Sequence, residues 1–456
     1  MLTSLVGSEM CIRDRFRSSD VYKSSRRDME ESVRESIEFA LGSLSSADKM
    51  VLSRLNEKGM AWIVGGWVRD SLSGGSPDDM DIATTLAPEI IKSIFPRSLM
   101  VGASFGTVIV RLDGDVGGDS QWQVTTLRSE GDYYDGRRPR TVKFLEGGEE
   151  NSGIFADLSR RDFTINSMAI DSGGRLLDPF NGLNDLKLGV LKSVGIAEER
   201  FEEDGLRVLR AFRFLDAGKM GIREMDDSLR SGILSSEEFL KGISKERVGV
   251  EMTKILSGEN VHAIIHQMLS LGVLERVFEG LSVQVPPELS TEYLVNLALL
   301  FRNSNATGEE LSSKLKDLLV LSKKDLLEIS VMHECRHLDL DETIESARRF
   351  HVAVPDRRKK LIIDYLGINE IETEKFEKLF KSINPLDLQI DPIIKGERLA
   401  LVTGLPPGPR LGRLKGWLHR RQIEEASRTE EDVLQFLSQI DWESSDYQEW
   451  GALSWP

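Results

Sequence analysis

Cysteine is scarce in this chain of 456 residues, which contains two, Cys11 and Cys335. Two cysteines cannot form the disulfide framework of a small secreted scaffold, and so low a content is typical of a reducing cytoplasm. Long apolar runs are also lacking, since no stretch reaches the roughly 18 residues that a membrane-spanning helix needs. We therefore expect a cytoplasmic protein that has no membrane partner.

Net positive charge is lacking as well. The formal net charge is −16 at pH 7, which argues against a nucleic-acid partner. Charge is local, however, and one basic segment holds Arg137, Arg138, Arg140 and Lys143. A second segment has no acidic residue between Glu397 and Glu424, and we interpret it as RNA-binding through Arg410, Arg413, Lys415, Arg420 and Arg421. The alternative for such a run is an ordinary solvated face.

Length and composition set limits on the domain organisation. A chain of 456 residues, 40% of them hydrophobic, is long enough for roughly two to four domains with buried cores. Residues 1–15 have no helical or strand period and no signal-peptide layout, and they resemble a translated sequencing-adapter read-through. We expect residues 1–28 to be a disordered or non-native leader that takes no part in the fold, with the native start near residue 16 or later.

Hydrophobic periodicity predicts a small mixed α/β region followed by helices. Helices are predicted over residues 29–44, 47–58, 67–73 and 88–95. Strands are predicted over residues 61–64, 79–84, 106–112, 121–127 and 141–144. Beyond residue 179 the strand signals vanish, and helical spacing continues to the end. The predicted fold class is therefore α+β, with an α/β head before an all-helical region.

Residues 63–70 form the most informative run. A predicted apolar strand ends in Gly65 and Gly66, and backbone N–H groups at such glycines can approach a phosphate where the next helix begins. Arg69 would add a bidentate contact to phosphate oxygens, the alternative being a salt bridge to Asp70 or Asp81. A Gly-Gly before a helix is, by itself, most often a tight turn.

Two aspartates follow on a predicted strand. Asp79 and Asp81 stand two residues apart, so both side chains would point to one face of the strand. Two adjacent carboxylates are suitable ligands for Mg²⁺, and we predict that this pair is both catalytic and metal-binding. A solvated acidic turn is the alternative. Acids that hold metal beside a phosphate-binding loop indicate transfer of a nucleotidyl group.

Five motifs in a fixed order carry a resemblance to a known family. They are residues 65–70, 79–84, 160–169, 178–186 and 203–210. On these motifs the sequence resembles the tRNA nucleotidyltransferase/poly(A) polymerase family, specifically the bacterial and eukaryotic (class II) type of CCA-adding enzyme. The resemblance implies a polymerase-β-like nucleotidyltransferase head at residues 29–178 and a helical neck for base recognition at 179–256. A helical body at 257–383 and a tRNA-binding helical tail at 384–456 would follow.

The resemblance also implies a reaction. The protein would add CCA to the 3′ end of tRNA without a nucleic-acid template, using CTP, ATP and Mg²⁺ in a two-metal transfer that releases pyrophosphate. Residues 104–108 resemble the CCA-adding type more than the bacterial poly(A) polymerase type, and the basic-x-acidic triplet at 128–130 favours addition of the full CCA. Alternatives are an enzyme that adds only CC or only A, a poly(A) polymerase, and an RNA-binding protein whose catalysis has decayed. Gln123 motivates the last, because many family members carry Glu there and an amide is a poor Mg²⁺ ligand.

Further nucleotide-binding residues are implied by the motif at 160–169. Asp162 would accept a hydrogen bond from the ribose 2′-hydroxyl, and Arg161 would lie against phosphate or base. Asn166 would support the sugar or the triphosphate. The alternative is an N-cap aspartate with flanking surface arginines.

The motif at 203–210 would select the base. Asp204 and Arg207, at positions i and i+3 of one predicted helix, would match the Watson–Crick edge of C or A. Glu203 and Arg210 would buttress this pair. The alternative is an ordinary surface ion pair between residues one helical turn apart.

Residues 333–337 match the zinc-binding pattern H-E-x-x-H, in which two histidines on one helix face share a metal. Cys335 and Arg336 stand in the middle of this run, and no convincing third ligand follows. We therefore interpret His333 and His337 as structural residues.

Overall fold

The computed structural model describes residues 31–75, 77, 79–101, 106–112, 120–130, 142–144, 152–236, 240 and 242–456, with backbone only at 128–130, 142–144 and 152. The predicted leader, the run at 104–105 and the basic residues Arg137, Arg138 and Arg140 lie outside this description. The chain divides into two compact units, Met1–Ile243 and Ser244–Pro456. The predicted division into head, neck, body and tail stays a prediction.

A seven-stranded mixed sheet forms the centre of the first unit. Its strands are β1 Ala61–Val64, β2 Asp81–Thr84, β3 Leu99–Val101, β4 Thr107–Val110, β5 Trp122–Thr126, β8 Ala169–Ile170 and β9 Leu176–Leu177. They lie in the order β3-β4-β5-β2-β1-β8-β9. β2 and β5 are parallel, whereas β1 pairs antiparallel with both of its neighbours. β3 is an edge strand, and its three residues, Leu99, Met100 and Val101, are exposed.

Four short strands form two smaller sheets. β6 Arg128–Glu130 pairs antiparallel with β7 Val142–Phe144. β10 Val190–Leu191 pairs in parallel with β11 Glu224–Met225. The prediction that strands vanish beyond residue 179 is therefore wrong, since β10 and β11 both lie in the predicted neck.

Helices pack on both faces of the main sheet. They are α1 over residues 31–43, α2 Ser46–Asn56, α3 Gly66–Leu72, α4 Pro88–Ile94, α5 Ser152–Ser159 and α6 Gly182–Leu188. Three further helices of this unit follow, α7 Ala197–Glu203, α8 Leu206–Leu215 and α9 Asp227–Ser235. One face packs in a core that includes Val51, Ile63 and Ile82. The other face packs with α5 in a core that includes Val64, Ala83 and Leu158. Because side chains alternate along a strand, β1 supplies both cores.

The second unit is built from helices in its described residues. They are α10 Lys245–Leu256, α11 Val261–Ser270, α12 Val273–Val277, α13 Tyr293–Leu299, α14 Gly308–Leu318, α15 Lys323–Glu334, α16 Ile344–Ala353, α17 Asp356–Ile368, α18 Glu374–Ser382, α19 Gly396–Thr403, α20 Pro409–Glu424 and α21 Glu430–Gln435. Leu414, Leu418 and Trp450 belong to a core formed by its last helices. Across the described ranges, no helix is both long and apolar enough to span a membrane.

The α+β fold class predicted from the sequence is confirmed. The strand predicted over residues 79–84 begins later, at Asp81, so Asp79 lies in the segment before β2. The strand pleat therefore does not fix the direction of the Asp79 side chain. Short strands such as β8 and β9 were not predicted, because two residues carry no periodicity that a sequence pattern can reveal.

Candidate active site

A glycine joins β1 to α3. Gly65 has a φ of 74° and a ψ of −132°, a backbone conformation that is open to glycine and strained for other residues. A Cβ at this position would lie 3.0 Å from Nη1 of Arg161 and 3.8 Å from Oδ2 of Asp81. Gly65 therefore allows the backbone to pass close to the predicted acidic pair and to one predicted nucleotide-binding arginine.

Asp81 opens β2 opposite Val64 of β1. It shares a face of the strand with Ala83, which packs on the α5 side of the sheet. Protein atoms that crowd the carboxylate raise its pKa, the charge of Arg161 opposes that effect, and the charge of Asp79 adds to it. Asp79 and Asp81 are thus close enough to repel each other, which is the electrostatic condition that a divalent cation relieves.

A cavity of about 310 Å³ opens beside Asp81. Charged and polar side chains from β2, β5, α5, α8 and the turn after α5 line it: Asp81, Gln123, Asp157, Arg160, Arg161 and Arg207. The structure therefore brings Asp81, Arg161 and Arg207, which the motifs predict separately, to one cavity. Asp157 and Arg160 join them without having been predicted as site residues.

Gln123 lies on the strand next to Asp81. β2 and β5 are parallel with Ile82 opposite Val124, so the residues that precede these two are neighbours across the sheet. Gln123 is exposed and shares the face of its strand with Thr125, which also lines the cavity. Among the described residues, no group of three or more His, Cys, Asp or Glu side chains could hold a metal ion. Gln123 thus occupies the position from which a third carboxylate would reach Asp81.

Asp157 of α5 anchors the two arginines that follow it. Its buried carboxylate accepts hydrogen bonds from Nε and Nη2 of Arg161 at 3.1 and 3.0 Å and pairs with Arg160. Burial by itself would raise the pKa of Asp157, but the charges and hydrogen bonds of Arg161 and Arg160 outweigh it, so the pKa is lowered. The sequence contains a signal for this contact, because Arg160 and Arg161 follow Asp157 by three and four residues, the spacing of side chains on one helix face.

Asp162 is buried in a network of hydrogen bonds. Nε of Arg210 donates to its Oδ2 at 2.7 Å, while the Asn166 amide and the Phe163 N–H donate to its Oδ1 at 3.1 and 2.8 Å. Burial would raise the pKa of Asp162, but the charge of Arg210 and these hydrogen bonds lower it. Both carboxylate oxygens are therefore already bonded within the protein.

Arg69 extends this network to α3. Nε and Nη2 donate to the two carboxylate oxygens of Asp70 at 2.8 and 2.9 Å, and Nη1 donates to Oδ1 of Asn166 at 2.7 Å. The salt bridge to Asp70 that the sequence left open as an alternative is thus present. A continuous chain of hydrogen bonds runs from Asp70 through Arg69, Asn166 and Asp162 to Arg210 in α8.

The prediction that Asp204 and Arg207 share one helix is wrong. α7 ends at Glu203, and Asp204 follows in an extended conformation, with φ −156° and ψ 100°. Its Oδ1 accepts a hydrogen bond from the N–H of Leu206, the first residue of α8. The dipeptide Asp204-Gly205 breaks the helix here, since both residues favour turns.

Arg207 is held on α8 by the residues before it. It donates to Oε2 of Glu203 at 2.6 Å and to the backbone oxygens of Arg200 and Arg160 at 3.0 and 2.8 Å. Glu203 therefore supports Arg207 directly. Of the predicted base-reading pair, Asp204 therefore lies in the break between α7 and α8, and Arg207 lies in the first turn of α8.

The predicted RNA-binding residues of α20 differ in their surroundings. Arg410 donates to the backbone oxygens of Trp442, Glu443 and Ser445, each at 2.8 Å, and so holds the C-terminal segment in place. The remaining pairs involve two acidic residues: Arg420 contacts Glu424, and Arg421 contacts Glu424 and Glu425. Arg413 is exposed and Lys415 half-buried, and within the described part of the chain neither has a hydrogen bond or ion pair.

The H-E-x-x-H residues serve the packing of α15. His333 is fully buried, and its Nε2 donates to the backbone oxygen of Ala306 at 3.0 Å. The carboxylate of Glu334 accepts the N–H of Gly308. Burial lowers the pKa of His333, which keeps the imidazole neutral. These contacts agree with the structural interpretation of the motif.

Comparisons with known proteins first give the class of protein. The sequence model of the Poly A polymerase head domain matches residues 61–192. A second model, described as "Probable RNA and SrmB- binding site of polymerase A", matches residues 224–284. The first match contains the glycine turn, Asp79, Asp81 and two of the cavity arginines, Arg160 and Arg161, so the region built around the mixed sheet is a head domain of the poly(A) polymerase type.

Similar whole proteins then give the family. The CCA-adding enzyme of Streptococcus pneumoniae is 33% identical over 386 residues, which cover 80% of this chain and 89% of that protein. The CCA-adding enzyme of Lactobacillus delbrueckii subsp. bulgaricus is 40% identical over 226 residues, about half of each protein (49% and 54%). The chain belongs to the CCA-adding enzyme family.

Solved structures show the same fold. The Bacillus stearothermophilus CCA-adding enzyme in complex with CTP matches with a TM-score of 0.69 and 24% identity over 86% of this chain and 96% of that one. The Thermotoga maritima CCA-adding enzyme complexed with tRNA matches with a TM-score of 0.59 and 20% identity, over 88% and 97% of the two chains. At these identities the likeness concerns the fold.

Proposed function

We propose that the protein adds CCA to the 3′ end of tRNA, using CTP and ATP and releasing pyrophosphate, without a nucleic-acid template. The observation that carries the proposal is the cavity that joins Asp81 of β2 to Arg161 and Arg207. An acidic residue suited to a metal thus lies beside arginines suited to a triphosphate and a base. Membership of the CCA-adding enzyme family supports the same activity.

Asp79 and Asp81 are the proposed metal ligands. Their oxygen donors suit Mg²⁺. Burial is the main cause of the raised pKa of Asp81 and the charge of Asp79 adds to it, and a bound cation would offset both effects. When bound, the metal would neutralise phosphate charge and lower the pKa of the attacking 3′-hydroxyl. Gln123 can offer an amide oxygen but no negative charge, so the two aspartates carry the anionic part of the site.

The arginines and glycines would bind and orient the nucleotide. Gly65 and Gly66 let the backbone approach the triphosphate, and Arg69 and Arg161 would place positive charge beside its oxygens. Both arginines are held in position by carboxylates, Arg69 by Asp70 and Arg161 by Asp157. Transfer of a nucleotidyl group depends chiefly on such positioning and charge stabilisation.

Asp162 and Asn166 would bind the sugar. They are hydrogen-bonded to each other and, through Arg69 and Arg210, to both helices that flank the site. A ribose hydroxyl would have to join or replace one of these bonds. This network would select a ribonucleotide because a deoxyribose could not make the additional hydrogen bond.

Base choice would rest on Asp204 and Arg207, with Arg210 as support. A carboxylate accepts from the exocyclic amine that C and A share, and a guanidinium donates to a ring nitrogen or carbonyl. We expect Asp204→Ala and Arg207→Ala to change the ratio of C to U incorporation while the Mg²⁺ requirement stays the same. Unchanged base choice in both variants would overturn the protein-template proposal.

The tail would contact the tRNA acceptor arm through phosphate and shape, because A-form RNA offers little readable base edge. Arg413 and Lys415 are the foremost candidates in α20, since Arg410, Arg420 and Arg421 are already engaged within the protein. Binding through such contacts weakens as salt rises. The cytoplasmic location that the low cysteine content indicates stays a prediction.

The test is to incubate the protein with tRNA transcripts that end before the CCA, after C and after CC. Each NTP is supplied singly and in mixture, and the 3′ ends are sequenced. Addition that stops at CCA supports the proposal. Addition of only CC or only A, or of long A tails, replaces it with a partial enzyme or a poly(A) polymerase.

A catalytically decayed RNA-binding protein is the second candidate, and the neutral Gln123 beside Asp81 favours it. It predicts no extension of any transcript and no difference between the wild type and Asp79→Ala. Transcript binding without extension would support it.

A further inference from the structure

Three arginine side chains contact one aromatic ring, and two of these arginines belong to the hydrogen-bond chain that includes Asp162. The Cζ atoms of Arg69, Arg210 and Arg213 lie 5.0, 5.3 and 4.3 Å from the ring centroid of Phe214. Arg69 comes from α3, whereas Arg210 and Arg213 precede Phe214 on α8. Positive groups within about 6 Å of a ring centroid are attracted by the negative charge of its π face. Phe214 therefore joins arginines that reach it from two helices.

Partial burial strengthens these contacts. The side chains of Arg69 and Arg210 are only 15% and 31% exposed, and Phe214 is half-buried. A cation that has lost part of its water interacts more strongly with a ring than one at an open surface. Asp70 pairs with Arg69 and Asp162 pairs with Arg210, so each of these two carboxylates orients one guanidinium group. The ring of Phe214 contacts both arginines.

Phe214 is itself held at its ring and at its backbone. The buried ring of Phe163 meets it edge to face, with centroids 5.7 Å apart and an interplanar angle of 69°. The backbone oxygen of Phe214 accepts a hydrogen bond from Nη1 of Arg223 at 2.6 Å. A fixed aromatic platform restricts where the guanidinium groups can settle, which a flexible apolar side chain would not.

We propose that Phe214 is a positioning residue of the nucleotide site, whose ring holds Arg69 and Arg210 where they meet a nucleoside triphosphate. The inference rests on the proposed nucleotidyl transfer. In it, Phe214 touches neither the triphosphate nor the metal and acts through the arginines. Its removal would leave the ion pairs to Asp70 and Asp162 but release the guanidinium planes. Nucleotide affinity would fall while the chemical step stayed nearly the same.

The test measures CTP binding to the full-length protein by calorimetry and single-nucleotide addition by steady-state kinetics. Phe214→Leu keeps an apolar side chain but removes the ring, and we expect its Kd and KM for CTP to rise about tenfold, the loss of one or two partly buried cation–π contacts. The value of kcat should stay within about twofold, because an interaction made equally in the ground and transition states affects KM alone. Phe214→Tyr retains the ring and should retain the affinity.

Ring fluorination separates the electrostatic role from packing. Phenylalanines with one, two and three ring fluorines, introduced at position 214, weaken the π face progressively while changing the volume little. We expect CTP affinity to fall stepwise along this series, with thermal unfolding unchanged. If the ring served packing alone, CTP affinity would be the same for all members of the series.

A matched control lies in the second unit. Phe436 is also half-buried, with the Cζ of Arg421 5.3 Å from its ring centroid. The same fluorinated residues at position 436 should leave CTP affinity unchanged. If the wild type binds CTP and the fluorinated residues at position 214 leave CTP affinity unchanged, the inference is overturned and the proposed function stays intact. A wild type that neither binds CTP nor extends tRNA would overturn both.

Discussion

Gln123 is the residue whose identity bears most directly on catalysis. It lies beside Asp81, where a carboxylate would add a third anionic oxygen ligand. We expect Gln123→Glu to lower the Mg²⁺ concentration needed for half-maximal nucleotide addition by about tenfold, because the affinity of oxygen-ligand sites rises with the number of charged ligands. Titration of Mg²⁺ in the addition assay measures this, and Mn²⁺ binding followed by electron paramagnetic resonance gives a readout independent of activity.

Gln123→Leu is the control, since it has a similar size and no oxygen. If the native amide contributes a ligand, this variant requires more metal than the wild type. An unchanged or higher metal requirement in Gln123→Glu would contradict the placement of the metal next to β5.

Gly65 is the second residue to consider, because its backbone conformation and its neighbour Arg161 restrict which residue can stand there. An alanine there would combine a positive φ of 74° with a Cβ 3.0 Å from Arg161. We expect Gly65→Ala to lower the free energy of unfolding by about 1–3 kcal/mol, the cost of backbone strain at such a position. The displaced Arg161 should also weaken CTP binding, which calorimetry measures.

Gly74 offers a matched control, because its φ is 75° and no atom lies within 4 Å of an added Cβ. Gly74→Ala should show a comparable loss of stability with unchanged CTP affinity. Equal effects of the two alanines on affinity would show that contact with Arg161 does not matter.

At the scale of elements, the carboxyl end of α5 depends on one buried charge. The pKa of Asp157 in the folded protein lies below its ordinary value of 3.8. A lowered folded-state pKa means that the ionised carboxylate stabilises the fold at pH above about 4, and that this contribution is lost as the pH falls through the lowered value. Asp157→Asn should therefore destabilise the protein by about 3 kcal/mol at pH 7, because it leaves two arginines without their partner.

Urea unfolding at a series of pH values checks this expectation. The difference between the wild type and Asp157→Asn should shrink as the pH falls below about 4, because the carboxyl is then protonated in the unfolded state. The difference is lost once the pH passes the lowered folded-state pKa, where the folded wild-type side chain is also protonated and resembles the amide. Asp171→Asn is the control, since the pair of Asp171 with Arg175 leaves the arginine 63% exposed. A difference for Asp157 that stays constant down to the acid limit would contradict the assignment.

The elements also show what a sequence can and cannot reveal. β1, α3 and β5 were predicted within one or two residues, because alternation and the glycine pair define them locally. The helix break at Asp204 was missed although the turn signal of Asp204-Gly205 was present, because the spacing of Asp204 and Arg207 was taken to mean one helix. The hydrogen-bond chain from Asp70 to Arg210 joins α3, the turn near Asn166 and α8, and no local pattern reports such a contact.

The same limit explains the cations of α20. Their sequence predicts a basic surface, because the intervening stretch contains no acid. In the fold, Glu424 at the end of the helix, Glu425 and three distant backbone oxygens engage most of them. A charge cluster read along the chain thus overestimates the free charge that the surface offers.

At the scale of the molecule, Glu424 links two helices of the second unit. Its side chain is 6% exposed and pairs with Arg349 of α16 and with Arg420 and Arg421 of α20, at 3.3, 2.8 and 2.9 Å. We expect Glu424→Gln to destabilise the second unit by roughly 3 kcal/mol, because the charge that offsets three arginines is lost. Hydrogen exchange across residues 344–424, followed by mass spectrometry, should show faster exchange in both helices.

Glu425→Gln is the matched control, because the Glu425 side chain is 42% exposed and, among the described residues, pairs with Arg421 alone. An exposed pair contributes at most about 1 kcal/mol, so exchange should change little. Similar effects of the two variants would show that Glu424 has no special linking role. CTP binding by the first unit serves as a second reference and should be the same in both.

The edge strand β3 has a consequence for colloidal stability. Leu99, Met100 and Val101 are exposed on a strand that, among the described strands, pairs only with β4. Such an edge is a template for association between molecules. The net charge of −16 keeps the molecules apart at low ionic strength. Salt screens that repulsion, and at 1 M it acts over only about 3 Å. A high salt concentration, often chosen to release bound RNA, should therefore favour aggregation through β3.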